Sequence, residues 1–221
     1  MLKNMETEKH LHFFEFSHRK LNKKARIYKH ELQHLTGDML DIARKIYLGL
    51  SVCEGIIKAL GSSDQTFKIK SYADYENYFN DLLYHLENFS FRLYAYRDKL
   101  CIFINYVMKI GYSEGDEGLL KKLVNNTQVQ KYHIDTELKK FLINEISELL
   151  KTRKLMTHNV YYDHYNPYFM PDISPKDVGY YKAALAWRRR ITQEVKKIND
   201  SMELIFEINE QISEKLLSYL K

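Results

Sequence analysis

The sequence predicts an all-α fold, an antiparallel bundle of long core helices, and three observations carry that expectation. Glycine and proline number only 8 and 3 in 221 residues, so many-stranded sheets and nucleotide-cradling loops have little to be built from. Tyr75, Phe79, Leu82, Leu86, Phe89, Leu93, Tyr96, Leu100, Phe103, Val107 and Ile110 recur at alternating steps of four and three, one continuous apolar stripe along a helix. Ile191, Val195, Ile198, Met202, Ile205, Ile208, Ile212, Leu216 and Leu220 repeat at helical spacing near the C-terminus. A stripe of roughly 55 Å, at 1.5 Å per residue, needs a partner helix along its whole length.

The elements follow in order. Residues 5–35 are polar, His-rich and expected to be helical. A second helix is expected over 38–60, with Asp38 as N-cap, Ile42, Ile46, Leu50, Cys53 and Ile57 as its buried stripe, and Gly61 as its stop. The long stripe of 75–110 makes a third helix that Gly111 ends. Glu114, Gly115, Asp116 and Glu117 read as a turn and an acidic first turn before a short helix near 116–125. A helix from about 131 to 156 turns Ile134, Leu138, Phe141, Leu142, Ile146, Leu149 and Leu150 inward. Residues 159–177 are irregular and hold all 3 prolines with several aromatics; loops this long in compact domains are often functional. The expected organisation is a single helical domain over 1–221, with N-terminal helices in 1–70 and a core in 72–221.

Composition narrows the function. A hydrophobic fraction of 45% excludes a disordered chain, and a formal charge of +5 permits a nucleic-acid partner without requiring one. Cys53 and Cys101 sit in apolar helical patterns and read as buried reduced thiols. No signal peptide is expected, and no run approaches the ~18 apolar residues of a membrane span. A soluble, cytoplasmic protein without a cofactor is therefore expected.

Two motifs carry chemistry. His30-Glu31-Leu32-Gln33-His34 places two histidines one helical turn apart, where they can share a zinc ion with Glu31 as base. With the following Leu35-Thr36-Gly37 it resembles the zinc segment of peptide deformylases, which also need a Glu-Gly-Cys segment and a Gly-rich strand loop, and neither occurs here. His10, His12 and His18 make a solvated, His-rich helix face the simpler reading, and a zinc hydrolase the weaker alternative.

The second motif is Arg153-Lys154-Leu155-Met156-Thr157-His158-Asn159, an Arg-x4-His pattern beside the long loop. Arg153 continues the line of Leu142, Ile146 and Leu149, where a guanidinium must be paired, reached by solvent, or at an interface. Five residues turn an ideal helix by about 140°, so Arg153 and His158 converge only if the helix ends there or across a two-fold axis.

At these residues the chain resembles the HEPN superfamily, helical bundles that carry an Arg-x4–6-His motif at the end of a core helix. The segment from His85 to Leu100, including Arg97 and Asp98, also looks like the earlier core helix of uncharacterised bacterial HEPN-like proteins. The resemblance covers roughly 72–220. It implies a homodimer whose two motifs line one cleft and an RNA partner, with metal-independent cleavage in many members. It further implies Arg153 and His158 as catalytic residues and Arg97 and Asp98 as supporting ones, and it leaves room for an antitoxin or other protein partner. Two positions depart from the pattern: Lys154 stands where active members often carry Asn, Asp or His, and Tyr161 stands one place later than the tyrosine of some toxins.

The chemistry agrees with the residue types. Histidine titrates near neutral pH and can move the 2′-hydroxyl or leaving-group proton, and a guanidinium offers fixed charge and two-pronged donation to phosphate. Lys151, Lys154, Arg188, Arg189 and Arg190 flank the loop in sequence as a candidate phosphate-binding rim. Asn159 and the tyrosines 161, 162, 165 and 168 are candidates for contact with unpaired bases. The competing reading is a non-catalytic helical interaction protein that keeps the motif for packing.

Overall fold

The computed structural model describes residues 29–59, 72–116, 118–143 and 179–221. Among them lie six helices and no strand: α1 (Lys29–Ala59), α2 (Tyr72–Val107), α3 (Leu119–Val124), α4 (Thr127–Lys131), α5 (Ile134–Ile143) and α6 (Gly179–Tyr219). The all-α expectation holds. The loop expected over 159–177 and most of the helix expected over 5–35 lie outside the described residues.

α2 and α6 bury the stripes their sequences mark. Phe89, Leu93, Tyr96, Leu100, Phe103 and Val107 are buried on α2, and Val195, Ile198, Met202, Ile205, Ile208, Ile212 and Leu216 on α6. The two are also tied through the core, where the Asn209 amide donates to the Tyr96 hydroxyl. At 1.5 Å per residue the 41 residues of α6 span roughly 60 Å.

α1 differs from its expectation. It runs unbroken through Gly37 and Asp38, so Asp38 is no N-cap; its carboxylate pairs with Lys99 of α2 at 2.7 Å instead. Gly37 costs this helix only about 1 kcal/mol relative to alanine. Burial of Leu35 before it and Met39 and Leu40 after it outweighs that, at about 1.5–3 kcal/mol for each large apolar side chain. The buried line is accordingly Leu35, Met39, Ala43, Ile46, Leu50, Cys53 and Ile56, while Ile42 and Ile57 are half-buried.

α2 ends before Gly111. Lys109 takes a left-handed φ of 53°, Ile110 N–H donates to the Asn105 carbonyl at 3.1 Å, and Lys109 N–H to that of Tyr106 at 3.1 Å. This is the paired-bond stop that closes many helices. The buried Asn105 side chain supplies the reason: its amide donates to the Tyr112 carbonyl at 2.8 Å and its oxygen accepts from Tyr112 N–H at 3.1 Å, drawing the chain off the helical path.

The following segment is corrected in two places. α3 begins after Gly118 at φ 79° and has no acidic residue in its first turn; Asp116 lies before it and pairs with Lys122 at 2.9 Å. The helix expected from about 131 begins at Ile134, because His133 adopts a left-handed φ of 56° after α4. Asn126 caps α4, accepting from Gln128 and Val129 N–H at 2.9 and 3.2 Å.

The chain divides into two compact units. Unit 1 comprises Met1–Tyr47, Arg92–Glu148 and Ser201–Lys221, and unit 2 comprises Leu48–Phe91 and Leu149–Asp200. In unit 1, α5 buries Ile134, Leu138 and Phe141. The Tyr219 hydroxyl donates to the Met108 carbonyl at 3.1 Å and accepts from Gln128 at 3.0 Å, joining α6 and α4 to the turn that follows α2. In unit 2, Cys53 and Ile56 are buried on α1 and Phe89 and Ser90 on α2.

Candidate functional site

The route to the Arg–His motif is α5. Its inward line of Ile134, Leu138 and Phe141 is as expected, but Leu142 is exposed rather than inward. The helical step explains this: Leu142 stands about 100° round from Phe141, and the 134–138–141 line already fills the buried face. The line from Leu142 to Arg153 therefore starts on an exposed side of α5. Arg153, Lys154, His158, Asn159 and Tyr161 themselves lie outside the described residues, as do Lys151 and the loop tyrosines. Arg188, Arg189 and Arg190 are on the helical backbone of α6, at successive steps of about 100° around it.

Arg97 and Asp98 are brought together, on one helix rather than between helices. Arg97 donates to Asp98 Oδ1 from Nε at 3.1 Å and from Nη2 at 2.7 Å. Its guanidinium carbon also lies 3.9 Å from the centroid of the Tyr94 ring. Burial disfavours the Arg97 charge, and the Asp98 carboxylate and Tyr94 more than restore it, holding its pKa above the ordinary value. This guanidinium is committed to neighbours within α2, which suits support of a core helix.

The His-Glu-x-x-His segment stands on the first two turns of α1, with His34 exposed. The side chains of His30 and Glu31 lie outside the described residues. Among the described residues no group of three or more His, Cys, Asp and Glu is placed to hold a metal ion, and no helix is long and apolar enough to cross a membrane. Both cysteines are buried and free. Burial pushes each thiol up to about 12, which leaves neither as a nucleophile.

Sequence reasoning passed over two features. One is a set of polar contacts within unit 1, where Asn126 donates to the Tyr112 hydroxyl at 3.2 Å and Lys215 bridges the His133 carbonyl at 2.9 Å and Glu137 at 2.6 Å. Asn126 directly before the α4 turn was its readable signal. The other is a set of exposed apolar side chains, Leu48, Val52, Tyr84 and Phe91, on the outer faces of α1 and α2.

The segment from His85 to Leu100, which carries the second resemblance, is helical throughout as part of α2. No curated protein and no solved structure matches the chain. A match to the Cthe2314-like HEPN family covers residues 39–221, taking in α2 to α6, most of α1 and the Arg153–His158 motif. The chain therefore belongs to the HEPN superfamily, as a member of its Cthe2314-like family.

Proposed function

We propose that this protein is an RNA-directed homodimer that cleaves RNA without a metal ion, with Arg153 and His158 as the reacting pair. One observation carries the reading: the Arg-x4-His motif stands inside the span matched to a HEPN family, whose domains often dimerise and act on RNA. In this reading His158 takes the proton of a 2′-hydroxyl as its oxygen bonds to the adjacent phosphorus. The bond from phosphorus to the 5′-oxygen breaks, and that oxygen is reprotonated. Arg153 offsets the charge that builds on the phosphate oxygens. Lys154, Arg188, Arg189 and Arg190 supply cations to the backbone, and Asn159 and Tyr161 contact unpaired bases.

A non-catalytic reading is favoured by Lys154, which follows the arginine where active members often carry Asn, Asp or His. The two readings separate in one assay. Cleavage of unstructured RNA in excess chelator is measured for the native chain and for His158→Ala, with helical content checked by circular dichroism. The rate is expected to fall by about 10²–10⁴ in the variant with the helices intact. Cleavage that survives in His158→Ala, or that needs a divalent ion, rules out the catalytic reading; bound but uncut RNA selects the non-catalytic one.

A further inference from the structure

We propose that unit 1 carries an RNA-contact surface of its own, where Lys109, Lys131 and His133 hold backbone phosphates and the rings of Tyr132 and Tyr219 take an unpaired base. It rests on the RNA partner of the preceding reading and uses residues far in sequence from Arg153 and His158. The surface is gathered by the last turns of α6. Lys215 and Tyr219 stand there one turn apart, about 40° round from each other. Lys215 donates to the His133 carbonyl at 2.9 Å, and the Tyr219 hydroxyl bonds the Met108 carbonyl at 3.1 Å and Gln128 at 3.0 Å. The Tyr132 ring meets the Tyr219 ring edge-on, with centroids 5.2 Å apart. These contacts draw in Lys109, next after Met108, Lys131, one turn on from Gln128 in α4, and His133 itself. All three side chains are exposed. Lys109 and His133 are also the two non-glycine residues with left-handed backbone among the described residues, at φ 53° and 56°. Strain of this kind, kept where a basic side chain is presented, points to use of that side chain.

Charge says that the ligand is an anion. Four lysines of this unit are committed to carboxylates: Lys122 to Asp116 at 2.9 Å, Lys139 to Asp135 at 2.7 Å, and Lys140 and Lys215 to Glu137 at 2.6 Å each. Lys109 and Lys131 pair with no carboxylate among the described residues; the Lys131 ammonium lies 5.9 Å from the centroid of the Tyr132 ring. Asp135 and Glu137 are buried and compensated by their lysines, so they oppose an incoming anion weakly. The exposed Glu210 and Glu214 stand about 100–180° round α6 from Lys215 and Tyr219, away from the gathered residues. What is left on this side is fixed positive charge without a counterion in the protein.

The rings say that the anion is single-stranded RNA. Tyr132 and Tyr219 are half-buried, so each keeps part of its ring open beside the ammonium groups. An open aromatic ring next to a fixed cation is how proteins hold an unpaired strand, with the base on the ring and the phosphate on the charge. An acidic peptide would use the lysines and leave the rings idle. The Tyr219 ring is already fixed by its two hydroxyl bonds and by Tyr132, so little ordering is needed when a base arrives. His133 adds a ring N–H donor for a phosphate oxygen.

The test measures binding of a short single-stranded 2′-O-methyl RNA to the full chain by fluorescence anisotropy over a range of salt. That probe lacks the 2′-hydroxyl and stays uncut whether or not the chain is a ribonuclease. The variants are Lys109→Gly, which suits the left-handed turn, Lys131→Gln, and both together, with Lys58→Gln of unit 2 as a charge-matched control. The double variant is expected to bind about tenfold more weakly near 0.1 M salt, and its slope of log affinity against log salt is expected to fall by about 1.4, or about 0.7 for each lost phosphate contact. Lys58→Gln is expected to change neither. A native chain that does not bind the probe, a double variant that binds like the native chain, or an equal loss in Lys58→Gln each overturns the proposal. So does displacement of the RNA by polyglutamate at equal charge concentration, which would assign the surface to acidic peptides. A chain that cuts no RNA but loses probe binding in the double variant leaves this surface standing while the ribonuclease reading falls. A chain that cuts RNA and binds the probe unchanged in the double variant does the reverse.

Discussion

Glu137 is a carboxylate enclosed by unit 1, with its side chain only 7% exposed, and two lysines make that position tolerable. Burial works against its ionisation, but ion pairs with Lys140 and Lys215, each at 2.6 Å, win, and the carboxyl is held below its ordinary value. A carboxyl depressed in the folded state stabilises the fold above its unfolded pKa, about 4.3, and that contribution is lost as pH falls through the lower folded value. Lys215→Met removes one of the two partners and also the donor to the His133 carbonyl. At pH 7 the variant is expected to lose about 1–3 kcal/mol in urea unfolding, and the gap from the native chain should narrow once Glu137 is protonated in both. A gap of constant size from pH 7 to the acid limit would show that Glu137 and Lys215 are not coupled.

Single helices show where sequence pattern suffices and where it does not. The stripes of α2 and α6 were legible because steps of three and four fix one face whatever the neighbour is, and those faces are the buried ones. The continuation of α1 through Gly37-Asp38 was not legible. Local chemistry there reads as a cap, while the deciding terms are burial of Met39 and an ion pair from Asp38 to Lys99, 61 residues away. The breaks at Lys109 and His133 were missed for a related reason: left-handed turns without glycine depend on bonds such as those of Asn105, which no spacing announces. Gly37 allows a direct test. Nothing lies within 4 Å of a Cβ built on it, so Gly37→Ala is expected to raise stability by about 0.5–1 kcal/mol. Lys109→Gly, at φ 53°, should stabilise by a similar amount through relief of the left-handed strain, about 1 kcal/mol. Equilibrium urea unfolding of both variants measures this, and a destabilised Gly37→Ala would show that α1 does not run straight through this point.

At the scale of the whole chain, the family could be read from the Arg-x4-His motif and the 85–100 segment, and the match over 39–221 bears it out. The site was legible only as residue types in order, because convergence of Arg153 with His158 depends on where a helix ends or on a second molecule, and neither is written in local spacing. The exposed apolar side chains were hidden differently: periodicity identifies what is buried, and Leu48 and Tyr84 fall off the buried stripe. Cooperativity is open to measurement through the two thiols. Cys53 belongs to unit 2 and Cys101 to unit 1, and both are buried with thiols pushed up to about 12. Neither can react without an opening that exposes it. α1, α2 and α6 each contribute residues to both units, so opening one unit alone means interrupting helices that belong equally to the other. With a thiol-reactive disulfide reagent at neutral pH and reclosing faster than reaction, each rate reports the population of its own open state. The two cysteines are expected to label slowly, at rates within a few-fold of each other, and to speed up together as urea is added. Site-resolved mass spectrometry reads the two rates in one sample. Rapid labelling at Cys53 with Cys101 still protected would mean that unit 2 opens by itself and that shared helices do not make the two units one cooperative fold.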